Sequence, residues 1–235
     1  MISIKYKELP QAKALLGHLK SINDSYDFDI IFPKKVWPNI SSEQSDDAME
    51  IIHQHHKVFQ DSTKNDFGMD YIIGASTSAD CWINIKKDDE IIGYATNLFH
   101  EVNNKKINHF RVTFFNSLLQ GSGAYALLQD LRINIFPSDF IFSRTQNPVV
   151  YQTFERLFNQ NGMMISPRIG HIDQECLLVA KKLEFKVDNN SIIKNAVRGI
   201  VAVETPMPKE KIKPLWDQID LYNGDVLLVS GYRNL

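Results

Sequence analysis

Gln120-Gly121-Ser122-Gly123-Ala124 is the stretch on which the reading of this chain turns. It separates a strand-like run, Ile107 to Phe115, from a helix-like run. In the latter, Tyr125, Leu127, Leu128, Leu131 and Ile135 share a face until Pro137 stops it. Two glycines at alternate positions let the backbone turn tightly and let another molecule approach it closely. The following helix directs its free N–H groups and the positive end of its dipole back at the turn. Such a turn is a seat for a phosphate or pyrophosphate.

Working outward, the pattern on the N-terminal side has period two. Trp82, Ile83 and Ile85, then Asp88-Asp89-Glu90, then Ile91 to Phe99 read as a hairpin. Asn103-Asn104-Lys105-Lys106 turns the chain into Ile107–Phe115, so three antiparallel strands lead into the glycine turn. On the other side, Phe140-Ile141-Phe142 reads as a buried strand, placed by a right-handed crossover parallel to and beside Ile107–Phe115. Asn147-Pro148 then opens a helix, with Asn at the cap, Pro in the first turn and Val150, Phe154, Leu157 and Phe158 as its apolar face.

Farther out the signals are local. Leu9, Ala12, Leu15, Leu16 and Leu19 predict an early helix, and Asp27 to Phe32 a short strand or turn ended by Pro33. Ser41-Ser42-Glu43-Gln44 matches a capping box and predicts a helix carrying Met49, Ile52 and Phe59 on its apolar side. Gln60 to Asp80 reads mainly as loop. Beyond Gly162 the pattern predicts a helix over 172–183 capped by Asp173, a strand over 197–203 and a helix over 208–220 broken near Pro214. A last strand over 226–230 follows the Asn223-Gly224-Asp225 turn. The expectation is one mixed α/β (α+β) domain over residues 1–235: an N-terminal helical part (1–80), a central core (81–161), and C-terminal strands and helices completing the sheet (162–235).

Bulk properties exclude several classes. A chain of 235 residues with 43% hydrophobic content can bury a full core. A net charge of -2 and a pI near 6.4 give no footprint for nucleic acid or an anionic membrane. No leader pattern opens the chain and no apolar run approaches a membrane span, so a soluble cytoplasmic protein is expected. Cys81 and Cys176 alone make no disulfide framework.

The order of elements and the residues at its two turns resemble the GNAT superfamily of acyl-CoA-dependent N-acyltransferases. The resemblance covers roughly Trp82 to Asn161. That family's pyrophosphate loop reads Gln or Arg, two residues, Gly, one residue, then Gly or Ala. Gln120 and Gly123 match, Gly121 fits the commoner form, and Tyr125 departs at the last position. Arg144-Thr145-Gln146-Asn147-Pro148-Val149-Val150-Tyr151 stands where the family has an Asn against the pantetheine arm and a Tyr near the acyl sulfur. The family's commoner Tyr position holds Phe154 here, with Tyr151 one turn earlier. The resemblance implies a mostly antiparallel central sheet with helices on both faces, beyond an N-terminal helical addition. It implies acetyl-CoA or another acyl-CoA as co-substrate, with cofactor contacts at Thr113, Phe114, Phe115, Gln120, Gly121, Ser122, Gly123, Ala124, Tyr125 and Asn147, and no metal. Tyr151 becomes the acid that protonates the leaving thiolate, and the amine enters from the side opposite the acyl-pantetheine arm.

Acyl transfer to an amine also needs a proton acceptor. Period-two alternation places His109, Arg111, Thr113 and Phe115 on one strand face, and His109 stands where many GNAT enzymes carry a base. Its plain alternative is a strand-surface histidine. His53, His55 and His56 invite a metal reading, but only His53 and His56 share a helix face, at i and i+3, and no third ligand is evident, so a solvated helix face is expected. Cys81 serves as a nucleophile only if a neighbour lowers its pKa. Tyr26, Phe28, Phe32 and Trp37 line either a pocket or the core. The expected function is transfer of an acetyl group from acetyl-CoA to a primary amine by direct attack, the acceptor being a small molecule or a peptide. The alternative is a non-catalytic acyl-CoA-binding sensor or interaction module, suggested by the Tyr125 and Phe154 departures. A nucleotide protein using the same turn is disfavoured, since no P-loop or full dinucleotide fingerprint is present. The N-terminal part serves the acceptor side or an oligomer interface, with a homodimer as one expectation; neither nucleic acid nor membrane is an expected partner.

Overall fold

In a computed structural model, which describes residues 4–43, 45–63, 68–201 and 206–233, the chain forms an eight-stranded mixed sheet with helices. In chain order the elements begin α1 (Ile4–Lys7), α2 (Pro10–Ile22), β1 (Tyr26–Ile31), α3 (Pro33–Val36), α4 (Asp46–Ser62) and α5 (Gly68–Thr77). The central part is β2 (Cys81–Lys87), β3 (Glu90–Val102), β4 (Lys105–Phe115), α6 (Ala124–Ile135), β5 (Phe140–Thr145) and α7 (Pro148–Gln160). Then come β6 (Met164–Ser166), α8 (Gln174–Lys182), β7 (Ile192–Ile193), α9 (Lys213–Trp216) and β8 (Val226–Tyr232). The strand order is β1-β2-β3-β4-β5-β8-β6, with β7 paired to β8 off that path. β1–β2, β2–β3, β5–β8, β6–β8 and β7–β8 are antiparallel pairs. The mixed α/β class and the mostly antiparallel sheet are those expected. Two compact units make up the chain: the part up to Phe99 with Phe110–Pro137, and His100–His109 with the part from Ser138 onward.

In the first unit, alternation along the strands sends two sets of apolar side chains to opposite faces. Tyr26, Phe28 and Ile30 of β1 and Cys81, Ile83 and Ile85 of β2 join Ala12, Leu15 and Leu19 of α2 and Ala124, Leu128, Leu131 and Ile135 of α6 in one core. Ile31 and Trp82 turn the other way, into a core with Ala48, Ile52 and Phe59 of α4 and Ile72 of α5. Helices on both faces explain why these strands carry apolar side chains on both sides. Tyr26 and Phe28 are thereby core residues, while Phe32 and Trp37 are partly buried against the two cores.

Two expectations for this unit are corrected. The cap of α4 is Ser45, whose Oγ accepts from the Ala48 N–H, and not Ser41; Gln44, the last residue of the expected box, lies outside the described residues. Asp46 and Asp47 in the first turn complement the helix dipole, which favours the later start. Residues 60–80 are not mainly loop, because α5 occupies Gly68–Thr77. Its Ile72 and Ala75 fall at helical spacing, but the Ser and Thr residues that hide this pattern are buried by partners remote in sequence.

The second unit is built on β8, which pairs with β5, β6 and β7. Cys176, Leu177, Val179 and Ala180 of α8 pack with Ile107, Phe140, Phe142, Val226, Leu228 and Tyr232. Asp173 caps α8 as expected, its carboxylate accepting from the Cys176 N–H. A Cβ on Gly231 would lie 2.7 Å from the Phe158 ring, so this glycine is what lets α7 close on β8. The helix expected over 208–220 shrinks to the four residues of α9, with Pro214 tolerated in its first turn. No strand covers 197–201, and 202–203 lie outside the described residues. Coil at 199–201 is held instead by Gln146, whose Nε2 donates to the Gly199 carbonyl and whose Oε1 accepts from the Val201 N–H.

Candidate functional site

The glycine turn closes through its own backbone. Asn116 N–H donates to the Ile92 carbonyl at the end of β4, and the N–H groups of Leu119 and Gln120 both return to the Asn116 carbonyl. Gln120 Nε2 donates to the Phe115 carbonyl at 2.9 Å, tying the turn to the strand end. Gly121 has φ +74 and Gly123 φ +89, both in the left-handed region that disfavours any other residue. Ser122 Oγ donates to the Leu119 carbonyl and accepts from the Ala124 N–H. Gly123 caps α6 without a side-chain bond, and no acid stands in the helix's first turn. Among the described residues, none accepts from the N–H groups of Gly121, Gly123 or Tyr125. A Cβ at Gly121 would meet nothing within 4 Å. The turn is therefore an open, positively polarised face with several donors available to an anion.

The strand feeding the turn departs from strict alternation. Arg132 of α6 lies 4.0 Å above the Phe110 ring and also donates to Thr113 Oγ1 at 2.6 Å, so Phe110 and Thr113 face the same way. Arg111 instead donates to Ser78 Oγ, and Val112 packs with Val58, Ile91 and Tyr94. The expectation that His109, Arg111, Thr113 and Phe115 share a face is corrected: Phe110 joins Thr113 at Arg132, while Arg111 meets Ser78 and His109 meets Phe185. Thr113 and Phe115 face α6, Phe115 meeting the Tyr125 ring at 6.2 Å. Phe114 points to α4, edge-on to Phe59. Tyr125 is half-buried against the core under α6, so its bulk lies with the core.

Arg132 is almost fully buried at 1% exposure. Besides Thr113, it donates to Asn97 Oδ1, Gln129 Oε1 and the Thr96 carbonyl. Desolvation pulls its pKa down to about 9, which leaves it charged at neutral pH.

The second motif lies in the other unit. Asn147 caps α7, its Oδ1 accepting from the Val149 N–H at 2.9 Å, while its own N–H donates to Thr145 Oγ1. Tyr151 is 2% exposed, its hydroxyl donates to the Pro167 carbonyl at 2.8 Å, and its ring stands edge-on to Trp216. Burial, with Glu155 nearby, pushes its pKa up to about 12. His109 is also buried, its ring edge-on to Phe185 at 5.0 Å and 6.4 Å from His100. The structure thus brings Thr113–Phe115 together with Gln120–Tyr125 in the first unit, and holds His109, Asn147 and Tyr151 in the second.

The histidine-rich segment of α4 is not a solvated face at His55. His55 is fully buried, accepts from Ser76 Oγ at Nδ1 and donates from Nε2 to Asn84 Oδ1, with Tyr94 stacked on it at 4.1 Å. Asn84 in turn donates to Asp29, which is ion-paired with Lys86. Desolvation pushes the His55 pKa down to about 4. Burial raises the Cys81 thiol to about 12, which opposes a nucleophilic role. No group of three or more His, Cys, Asp or Glu among the described residues is arranged to hold a metal. No helix among them is long and apolar enough to cross a membrane.

Sequence reasoning missed two polar anchors. Gln146 reaches Gly199, Val201 and Asp225 through its side chain, and its carbonyl accepts from Trp216 Nε1. His18 of α2 lies against the glycine turn, its Nε2–H donating to the Ser122 carbonyl at 2.8 Å. Neither has a local signal, because each partner lies far along the chain.

No protein-family model matches the chain, and no curated protein matches it. Solved structures do. A GNAT family acetyltransferase from Elizabethkingia anophelis with acetyl-CoA bound is 14% identical, covering 91% of this chain and 100% of that one at a TM-score of 0.42. An acetyltransferase of the GNAT family from Bacillus cereus is 13% identical, covering 89% and 98% at 0.39. The NatC complex bound to Gag peptide and CoA is 11% identical, covering 61% and 87% at 0.39. At such identities and scores, the functional assignment rests on the chain's own residues.

Proposed function

We propose that this chain binds acyl-CoA on the Gln120–Tyr125 turn and transfers the acetyl group of acetyl-CoA to a primary amine. The observation that carries the reading is the turn itself. Two left-handed glycines at the start of α6 leave the N–H groups of Gly121, Gly123 and Tyr125 without an acceptor among the described residues. A pyrophosphate has the charge and the acceptor oxygens for that face. Main-chain groups at Thr113–Phe115 would hold the pantetheine arm. In the reaction the neutral amine attacks the thioester carbonyl, the C–S bond breaks, and the amine proton ends on the departing thiolate. Main-chain N–H groups would polarise the carbonyl. The acceptor is a small amine or a peptide.

His109 as base and Tyr151 as acid belong to this proposal, and each starts from an engaged position. The Tyr151 hydroxyl is engaged by the Pro167 carbonyl, and His109 is packed against Phe185. Those two placements favour a second reading, an acyl-CoA-binding module without catalysis.

A thermal-shift titration with acetyl-CoA, CoA and ATP, followed by thiol release over an amine panel, separates the readings. Ligand at about a hundred times its Kd adds about 2.7 kcal/mol, or several degrees of melting temperature for a chain of this size. Absence of any CoA response at millimolar concentration overturns both readings. Binding with amine-dependent thiol release supports the transferase, and binding without it across the panel supports the module.

A further inference from the structure

His18 stands outside every motif, yet it touches the turn on which the proposed function rests. It projects from α2, in the middle of a helix whose Ala12, Leu15 and Leu19 pack with α6. Its Nε2 lies 2.8 Å from the Ser122 carbonyl oxygen. A carbonyl only accepts, so Nε2 carries the proton in this bond. The same ring atom lies 3.5 Å from where a Cβ of residue 123 would stand.

In a trans peptide the C=O and the following N–H point in opposite directions. Drawing the Ser122 carbonyl towards α2 therefore aims the Gly123 N–H away from α2, to the open side of the turn. The Ser122–Gly123 peptide turns about ψ of Ser122 and φ of Gly123, and glycine at 123 presents no Cβ to hinder that rotation. Ser122 Oγ holds the next donor, Ala124 N–H, and leaves that one peptide to be fixed from elsewhere.

We infer that His18 is a positioning residue for the anion seat: its bond to the Ser122 carbonyl holds the Gly123 N–H in the orientation that receives the CoA pyrophosphate. The inference rests on the acyl-CoA reading and assigns to α2, part of the N-terminal helical addition, a task in cofactor recognition.

The test measures CoA affinity calorimetrically on the intact chain for wild type, His18→Leu and His18→Gln. Leu keeps an apolar side chain at the site and lacks a donor. The Gln amide places an N–H near the position of Nε2. Far-UV circular dichroism and the ligand-free melting temperature establish that each variant is folded. His18→Leu is expected to weaken CoA on the order of tenfold, as for loss of one hydrogen bond to a charged acceptor, and His18→Gln to restore it. Equal CoA affinity in wild type and His18→Leu overturns the inference and leaves the acyl-CoA reading standing. Equal loss in Leu and Gln overturns it as well, since a donor would then not be what matters. A wild type that does not bind CoA overturns the acyl-CoA reading and this inference with it.

Discussion

Acidification should unfold this protein through His55, and the size of the effect comes from its surroundings. The imidazole is completely buried between Trp82 and Tyr94, with Ser76 and Asn84 bonded to its two nitrogens. Asn84 presents its carbonyl oxygen to Nε2–H, so the ring fits as the neutral tautomer, with Nδ1 accepting from Ser76. Charging it would cost its desolvation. Desolvation is the main reason its pKa falls from 6.5 to about 4. A lowered histidine pKa means that the unfolded chain takes up the proton first. Stability is therefore full above the unfolded value and is lost as pH falls towards the folded one. Between those two values the loss reaches about 3 kcal/mol. Urea unfolding of wild type and His55→Gln at a series of pH values isolates the term, because carboxylates such as Asp225 titrate in both proteins. The gap in unfolding free energy between the two should shrink by roughly 2–3 kcal/mol from about pH 7.5 to about pH 4.5. A gap that stays constant over that range refutes the reasoning, since His55 would then be solvated or charged in the folded state.

Three further outcomes rest on the same kind of contact. Gly123→Val forces a β-branched residue to φ +89, so it should cost about 1–3 kcal/mol of stability in urea unfolding and abolish CoA binding in a titration. Tyr151→Phe removes the bond to the Pro167 carbonyl and should lower stability by about 1 kcal/mol while leaving CoA affinity unchanged; a Kd that rises with it would contradict the placement of Tyr151. Arg132→Met leaves the buried Asn97 and Thr96 acceptors without their donor and should cost about 3 kcal/mol or more, read by urea unfolding, against a neutral result if water replaces the guanidinium.

The elements that sequence reading placed correctly are those whose signals are local. The 3.6 period of α2 and α6, the Asn147-Pro148 start of α7 and the Asp173 cap of α8 each lie within one turn of the residues they organise. The misreadings have the opposite character. α5 escaped notice because Ser76 and Thr77 look like loop residues until His55 and Ser41 are brought to them. The burial of His55 was not legible because it depends on Trp82 and Tyr94, which are remote in sequence. Alternation along β4 failed where a buried guanidinium from α6 gathers Phe110 and Thr113 to one side. At the candidate site, the turn and its glycines were legible because positive φ demands a particular residue type. His18 was not, because a histidine in an amphipathic helix carries no mark of a partner more than a hundred residues away.

The most direct test of the central claim tracks the backbone amides of isotopically labelled protein by NMR as acetyl-CoA is added. The account predicts saturable shifts that are largest at Gly121, Gly123 and Tyr125, the donors at the mouth of α6. No shift at millimolar acetyl-CoA would contradict it. So would shifts centred elsewhere, such as the 217–222 coil that lines a surface depression of about 390 Å³ in the second unit.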